Sequence, residues 1–120
     1  MLRRRNKRQY HKLRERARSD VAARIGYFNA FYNFKVGKVF IKDTRSRWGS
    51  CSKAGNLNFS YKITLLPPHV ADYLVVHELC HLREFNHSPA FWALVSLACP
   101  NYRELKRELR QIEGEGSVKE

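Results

Sequence analysis

His77-Glu78-Leu79-Cys80-His81 places two imidazoles four residues apart with a carboxylate beside the first, and His87 adds a third imidazole six residues later. A catalytic zinc site takes three protein ligands and keeps its fourth position for water. The chemistry these side chains could do together is metal-assisted hydrolysis, with a peptide bond as the expected target. His77, His81 and His87 are the candidate ligands of one Zn2+. Glu78 is the candidate general base, taking a proton from the zinc-activated water and passing it to the leaving amine.

The spacing sets requirements on the elements that carry these residues. On an α-helix, residues i and i+4 share a face about one turn apart, so His77 and His81 can point at a common ion. His87 cannot join them if that helix continues, because six more residues would carry it roughly 9 Å away, against metal–nitrogen bonds of about 2.0–2.1 Å. The chain must therefore turn back after residues 83–85. Asn86 is a candidate left-handed helix stop. Ser88-Pro89 reads as the N-cap and first residue of a new helix.

Other residues are weaker candidates for the same chemistry. Arg45, Arg47 and Tyr102 could stabilise the transition state or contact substrate. Glu104 is a rival third ligand, and Cys51 could approach the metal, although a buried thiol is the simpler expectation. Asn58, Ser60, Ser88 or backbone carbonyls could orient the imidazoles. Trp48 reads as a packing residue. His11 and His69 stand apart from the motif and read as solvated or capping residues.

The elements around the motif follow from periodicity. Residues 6–32 read as a long helix, with Tyr10, Leu13, Ala17, Val21 and Phe28 at helical steps. Strands are expected near residues 39–43 and 47–51. Turn chemistry at residues 53–56 leads into Leu57, Phe59, Tyr61 and Ile63, which alternate with polar residues as a half-buried strand does. The expected sheet is a small antiparallel meander. Pro67-Pro68 ends it and opens the motif helix, residues 69–85. A third helix, residues 89–99, buries Phe91, Leu94, Val95 and Ala98. Asn101 with Glu104 resembles a capping box ahead of a last helix with Tyr102, Leu105, Leu109 and Ile112 on its apolar stripe. Residues 114–120 read as a frayed tail. Helices around a small sheet make an α+β domain.

Composition bounds the remaining readings. The 120 residues suit one domain. A net charge of +12, with 23 Lys and Arg against 11 Asp and Glu, is concentrated in residues 3–24. That basic helix is either a solvated face or a nonspecific contact for nucleic acid. Three cysteines, odd in number and without CxxC spacing, argue against a disulfide framework or a Cys-rich zinc knuckle. With no apolar run long enough for a membrane span and no apolar stretch of a secretion signal, the expected location is cytoplasmic.

Arg47-Trp48-Gly49-Ser50-Cys51-Ser52, Pro67-Pro68, Val75 to Leu82, Asn86-His87-Ser88 and Phe91-Trp92 occur in the order and spacing of a known family. The chain resembles the YgjP-like metallopeptidases, which are grouped with the SprT-like and WLM zinc peptidases. The resemblance covers about residues 36–112. It implies a minimal zincin-like fold, zinc on His77, His81 and His87, Glu78 as base, and a peptide or protein substrate. It also implies one domain over residues 1–120, with the basic helix in 1–33 ahead of a catalytic core. Two departures separate it from metzincins: Glu84 stands where they carry Gly, and the single Met is Met1, so there is no Met-turn. Three further readings stay open: a SprT-like protease recruited to DNA by the basic helix, a metal-dependent nucleotide phosphohydrolase, and a zinc-binding module without catalysis.

Overall fold

The computed structural model describes residues 7–44 and 46–113. It is an α+β fold in which helices surround a small sheet: α1 (Lys7–Tyr32), β1 (Val39–Lys42), β2 (Gly49–Cys51), β3 (Leu57–Ser60), a 3-10 turn (Tyr61–Leu65), α2 (Pro68–Cys80), α3 (Pro89–Ala98) and α4 (Tyr102–Glu113). The expectations for residues 1–6 and 114–120 and for Arg45 lie outside the described residues. Among the described residues, no helix is long and apolar enough to cross a membrane.

α1 keeps its predicted seam. Ala17 and Val21 are buried, with Tyr10, Leu13 and Phe28 packed against the core. The helix stops at Asn33, the one described non-glycine residue with positive φ, at 59°. Its amide donates to the Asn29 carbonyl at 2.7 Å, a left-handed stop of the kind Asn tolerates. Arg24 Nε donates to Asp72 Oδ1 at 2.8 Å and Tyr32 Oη to the Leu94 carbonyl at 2.6 Å, fastening α1 to α2 and α3.

The sheet departs from the expected antiparallel meander. Its order is β1-β3-β2, with β2 antiparallel to β3 but β1 parallel to it. The most buried strand takes the centre: Leu57 and Phe59 are 0 % exposed. Residues 43–48 are long enough to span two strand spacings, about 10 Å, so β1 and β2 need not be neighbours. The predicted turn at residues 53–56 does join β2 to β3, with Gly55 at φ 90°.

The third predicted strand also ends early. Tyr61 and Ile63 alternate as strand residues would, yet they lie in the 3-10 turn, where Ser60 Oγ accepts from the Lys62 amide at 3.2 Å. Both remain buried under α1, Tyr61 edge-on to Tyr10 at 5.0 Å. Burial was read correctly there, and backbone conformation was not.

α2 runs through the core. Every residue from Tyr73 to Cys80 is buried, the pattern of a helix enclosed on all sides. Pro68 occupies its first turn, where a missing amide costs nothing. The helix ends at Cys80, five residues before the expected limit. The amides of Leu82, Arg83 and Glu84 fold back onto the carbonyls of Leu79 and Cys80 at 2.9–3.1 Å. Asn86 is not left-handed, so the reversal comes from this turn and not from an Asn stop.

Candidate metal centre

The early end of α2 brings the third imidazole back. His77 lies inside the last turn of α2, His81 is the C-cap, and residues 82–86 return the chain so that His87 faces both. His87 Nε2 lies 3.1 Å from His77 Nε2 and 3.1 Å from His81 Nε2. All three ligand atoms lie within 4.8 Å of one another, and among the described residues this is the group able to hold a metal ion.

These distances can be tested against zinc. Bonds of about 2.0–2.1 Å at tetrahedral angles put two ligand nitrogens roughly 3.3 Å apart. The observed 3.1 Å is close to that value. The other ring nitrogens set the protonation. His81 Nδ1 donates to the Glu84 carbonyl at 3.1 Å, which leaves its Nε2 bearing a lone pair. His77 Nδ1 faces Tyr73 Oη at 3.4 Å, one helical turn earlier. Three imidazole nitrogens gathered at this range match the spacing a shared cation needs, so the residues fit the group their types imply.

Burial keeps these imidazoles neutral. His77 is 2 % exposed. Loss of solvent, followed by the neighbouring His81 and His87, pulls its pKa down to about 2. Burial likewise lowers His81 and His87. Each can therefore offer a lone pair at neutral pH.

Aromatic rings from α3 wall the imidazoles in. Ser88 Oγ accepts from the Phe91 amide at 3.2 Å and caps α3 as predicted. Phe91 then stacks on His81 at 4.3 Å and meets His77 at 4.9 Å and His87 at 5.1 Å. Trp92 stacks on His87 at 5.8 Å. Sequence reasoning took Phe91 as core, because an apolar residue at helical period gives no sign that imidazoles lie across from it. Tyr73 was missed for a similar reason, although its place one turn before His77 was a usable signal.

Glu78 is 1 % exposed and lines the same cleft as the imidazoles, about 270 Å³, between β2 and the end of α2. Arg47, Gly49, Ser50 and Cys51 form the opposite wall. In the fold Gly49 brings β2 against the Glu78 carboxylate, and a side chain there would meet it. Cys51 lines the cleft but lies outside the imidazole cluster. Burial, followed by the Glu78 charge, raises its thiol to about 11.

The remaining candidates are dispersed. Arg47 is at the cleft. Tyr102 stacks on Trp92 at 4.9 Å, behind His87. Glu104 is exposed on α4 and outside the cluster, so His87 is the third member. Asn58 Nδ2 donates to Ser50 Oγ at 3.2 Å, and Ser60 and Ser88 cap helical turns; the ring nitrogens instead face Tyr73 and the Glu84 carbonyl. His69 pairs with Glu108 at 2.9 Å, and His11 tilts against Tyr10 at 5.5 Å.

A family model described as YgjP-like, metallopeptidase domain, matches residues 2–112. Among solved structures, the chain is similar to the crystal structure of the metallopeptidase zymogen of Pyrococcus abyssi abylysin. That match has a TM-score of 0.60 and 23 % identity, covering 85 % of this chain and 92 % of the other. At that identity the likeness is one of fold. No curated protein matches.

Proposed function

The chain belongs to the YgjP-like metallopeptidase family, and we propose from that premise that it is a zinc-dependent peptidase. In this reading His77, His81 and His87 hold one Zn2+ and Glu78 is the general base. The observation that carries it is the meeting of the imidazole Nε2 atoms, with separations of 3.1 Å, beside a carboxylate that is 1 % exposed.

Zinc bound there supplies a Lewis acid that polarises the scissile carbonyl and lowers the pKa of water to about 7. The protein's own residues do the rest. Glu78, seated between α2 and Gly49, takes a proton from water in the cleft and delivers it to the leaving amine. The Glu84 carbonyl holds the His81 ring, and the Tyr73 hydroxyl the His77 ring, in the orientation ligation needs. Arg47 contacts substrate from the cleft wall. β2 is a terminal strand of the sheet, and its outer edge suits pairing with an extended peptide.

The whole of residues 1–120 acts in this reading as one domain in the cytoplasm, a compartment that suits three free thiols. A zinc module without catalysis has no use for a carboxylate in the cleft, which favours the enzyme. Contact with nucleic acid draws no support from the family or from the fold likeness.

The test is hydrolysis of unstructured peptides by protein carrying one equivalent of zinc, abolished by chelation and restored by added zinc. Glu78→Gln should keep zinc near one equivalent while turnover falls about 10²- to 10⁴-fold. Wild-type turnover in that variant would remove Glu78 from its role.

A further inference from the structure

A second cavity of about 70 Å³ adjoins the cleft and shares Arg47, Gly49 and Ser50 with it; Lys42, Thr44 and Asn58 also line it. Strand register accounts for its position. Ile41 and Phe59 are paired and buried, so Lys42 and Asn58, one residue along, face the other side of the sheet. Ser50 pairs with Asn58 and shares that side. Lys42, Asn58 and Ser50 thus line the cavity from the outer side of the sheet, over Phe59 and Ser60, while the cleft lies toward α2. Gly49 and Ser50 of β2 line both. Successive side chains of a peptide laid along β2 would point alternately into each.

The lining has one sign of charge. It contains the Lys42 ammonium and the Arg47 guanidinium, and no carboxylate. Among the described residues, neither cation is paired with a carboxylate. The Lys42 ammonium lies 5.8 Å from the Phe40 ring centroid, a weak contact that leaves its donors available. Ser50 Oγ accepts from Asn58 Nδ2 at 3.2 Å, so its own proton is free to be donated. An ammonium, a guanidinium and a hydroxyl form a donor set whose natural partner accepts hydrogen bonds and carries negative charge.

We propose that Lys42 and Arg47 form a carboxylate-binding subsite beside the metal centre, selecting peptides that carry a negative charge near the scissile bond. The proposal rests on the peptidase reading above. The carboxylate has two sources, an Asp or Glu side chain within the peptide or the carboxylate of its C-terminus. The net charge of +12 adds a field that draws either toward the protein.

The test uses the full zinc-loaded chain and two matched peptide pairs. One pair differs by Glu against Gln within the peptide, the other by a free acid against an amide at the C-terminus. Wild type should favour the acidic member of one pair by about tenfold in kcat/KM, and that pair identifies the source. In the Lys42→Gln/Arg47→Gln double variant the ratio should collapse toward one. Equal cleavage within both pairs, or a preference that survives in the double variant, would overturn the subsite while leaving the peptidase reading intact. Binding of the same peptides to zinc-loaded Glu78→Gln, read by fluorescence anisotropy, separates the two ideas. Acid preference in binding without any wild-type turnover retains the subsite and removes the peptidase; binding without acid preference removes the subsite.

Discussion

A Cβ built on Gly49 would stand 3.1 Å from Oε2 of Glu78 and 3.2 Å from its Cγ. The third atom it would meet, the Asn58 carbonyl at 3.2 Å, belongs to the central strand and cannot retreat. Glu78 is 1 % exposed and borders the cleft, so it is the carboxylate that must shift, by a few tenths of an ångström. Gly49→Ala should therefore displace the Glu78 carboxylate, the proposed base, without touching the imidazoles. The expected outcome is a fall in kcat of roughly tenfold or more, since a 1 Å misplacement can cost about 10²-fold. Zinc stoichiometry should stay near one equivalent. Unchanged kcat would show that Glu78 has room the packing does not suggest.

Tyr73→Phe removes the hydroxyl facing His77 Nδ1 and keeps the buried ring volume. Loss of such an outer partner costs about 10- to 100-fold in metal affinity. Competition with a fluorescent zinc chelator should show a drop at the lower end of that range, because the contact is long at 3.4 Å. Equal affinity in the two proteins would remove Tyr73 as an orienting residue.

The buried imidazoles make zinc-free stability depend on pH. His77 has an ordinary value of 6.5 and falls to about 2 in the fold. Below pH 6.5 the unfolded chain takes up a proton that the folded chain refuses, so stability is full above 6.5 and is lost as pH falls. His77 alone contributes a slope of about 1.4 kcal/mol per pH unit in that window, and His81 and His87 act in the same direction. Urea unfolding of zinc-free protein at pH 7.5 and 5.5 should show the lower midpoint at 5.5. A flat profile would mean that the imidazoles are solvated.

Ser88→Ala removes the side-chain cap of α3, whose first turns carry Phe91 and Trp92 against the imidazoles. The cost should be about 1 kcal/mol of stability, measured by denaturant unfolding of the zinc-free protein. A loss below about 0.3 kcal/mol would indicate that water replaces the hydroxyl.

Local rules carried much of this site. The four-residue step from His77 to His81 needs helical geometry alone, and Ser88-Pro89 announces a helix start whatever surrounds it. The need for a chain reversal before His87 was legible for the same reason. Its means were not: α2 stops at Cys80 because the following amides fold back onto it, and nothing in residues 81–86 marks that turn. Strand order was equally hidden. Leu57 and Phe59 read as buried, but which neighbours flank them depends on a connection through residues 43–48 that carries no pairing signal. The approach of Gly49 to Glu78 depends on how β2 packs across α2, and the Phe91 contacts on how α3 packs there. Neither relationship exists until the chain is folded.

The central claim is that His77, His81 and His87 share one ion. Its most direct test is a zinc-soaked crystal measured on both sides of the zinc absorption edge. A single strong anomalous peak is expected about 2.0–2.1 Å from the three Nε2 atoms, with Glu78 nearby and not coordinated. A peak held by Glu104 or Cys51 in place of His87, or no peak among the three rings, would contradict it.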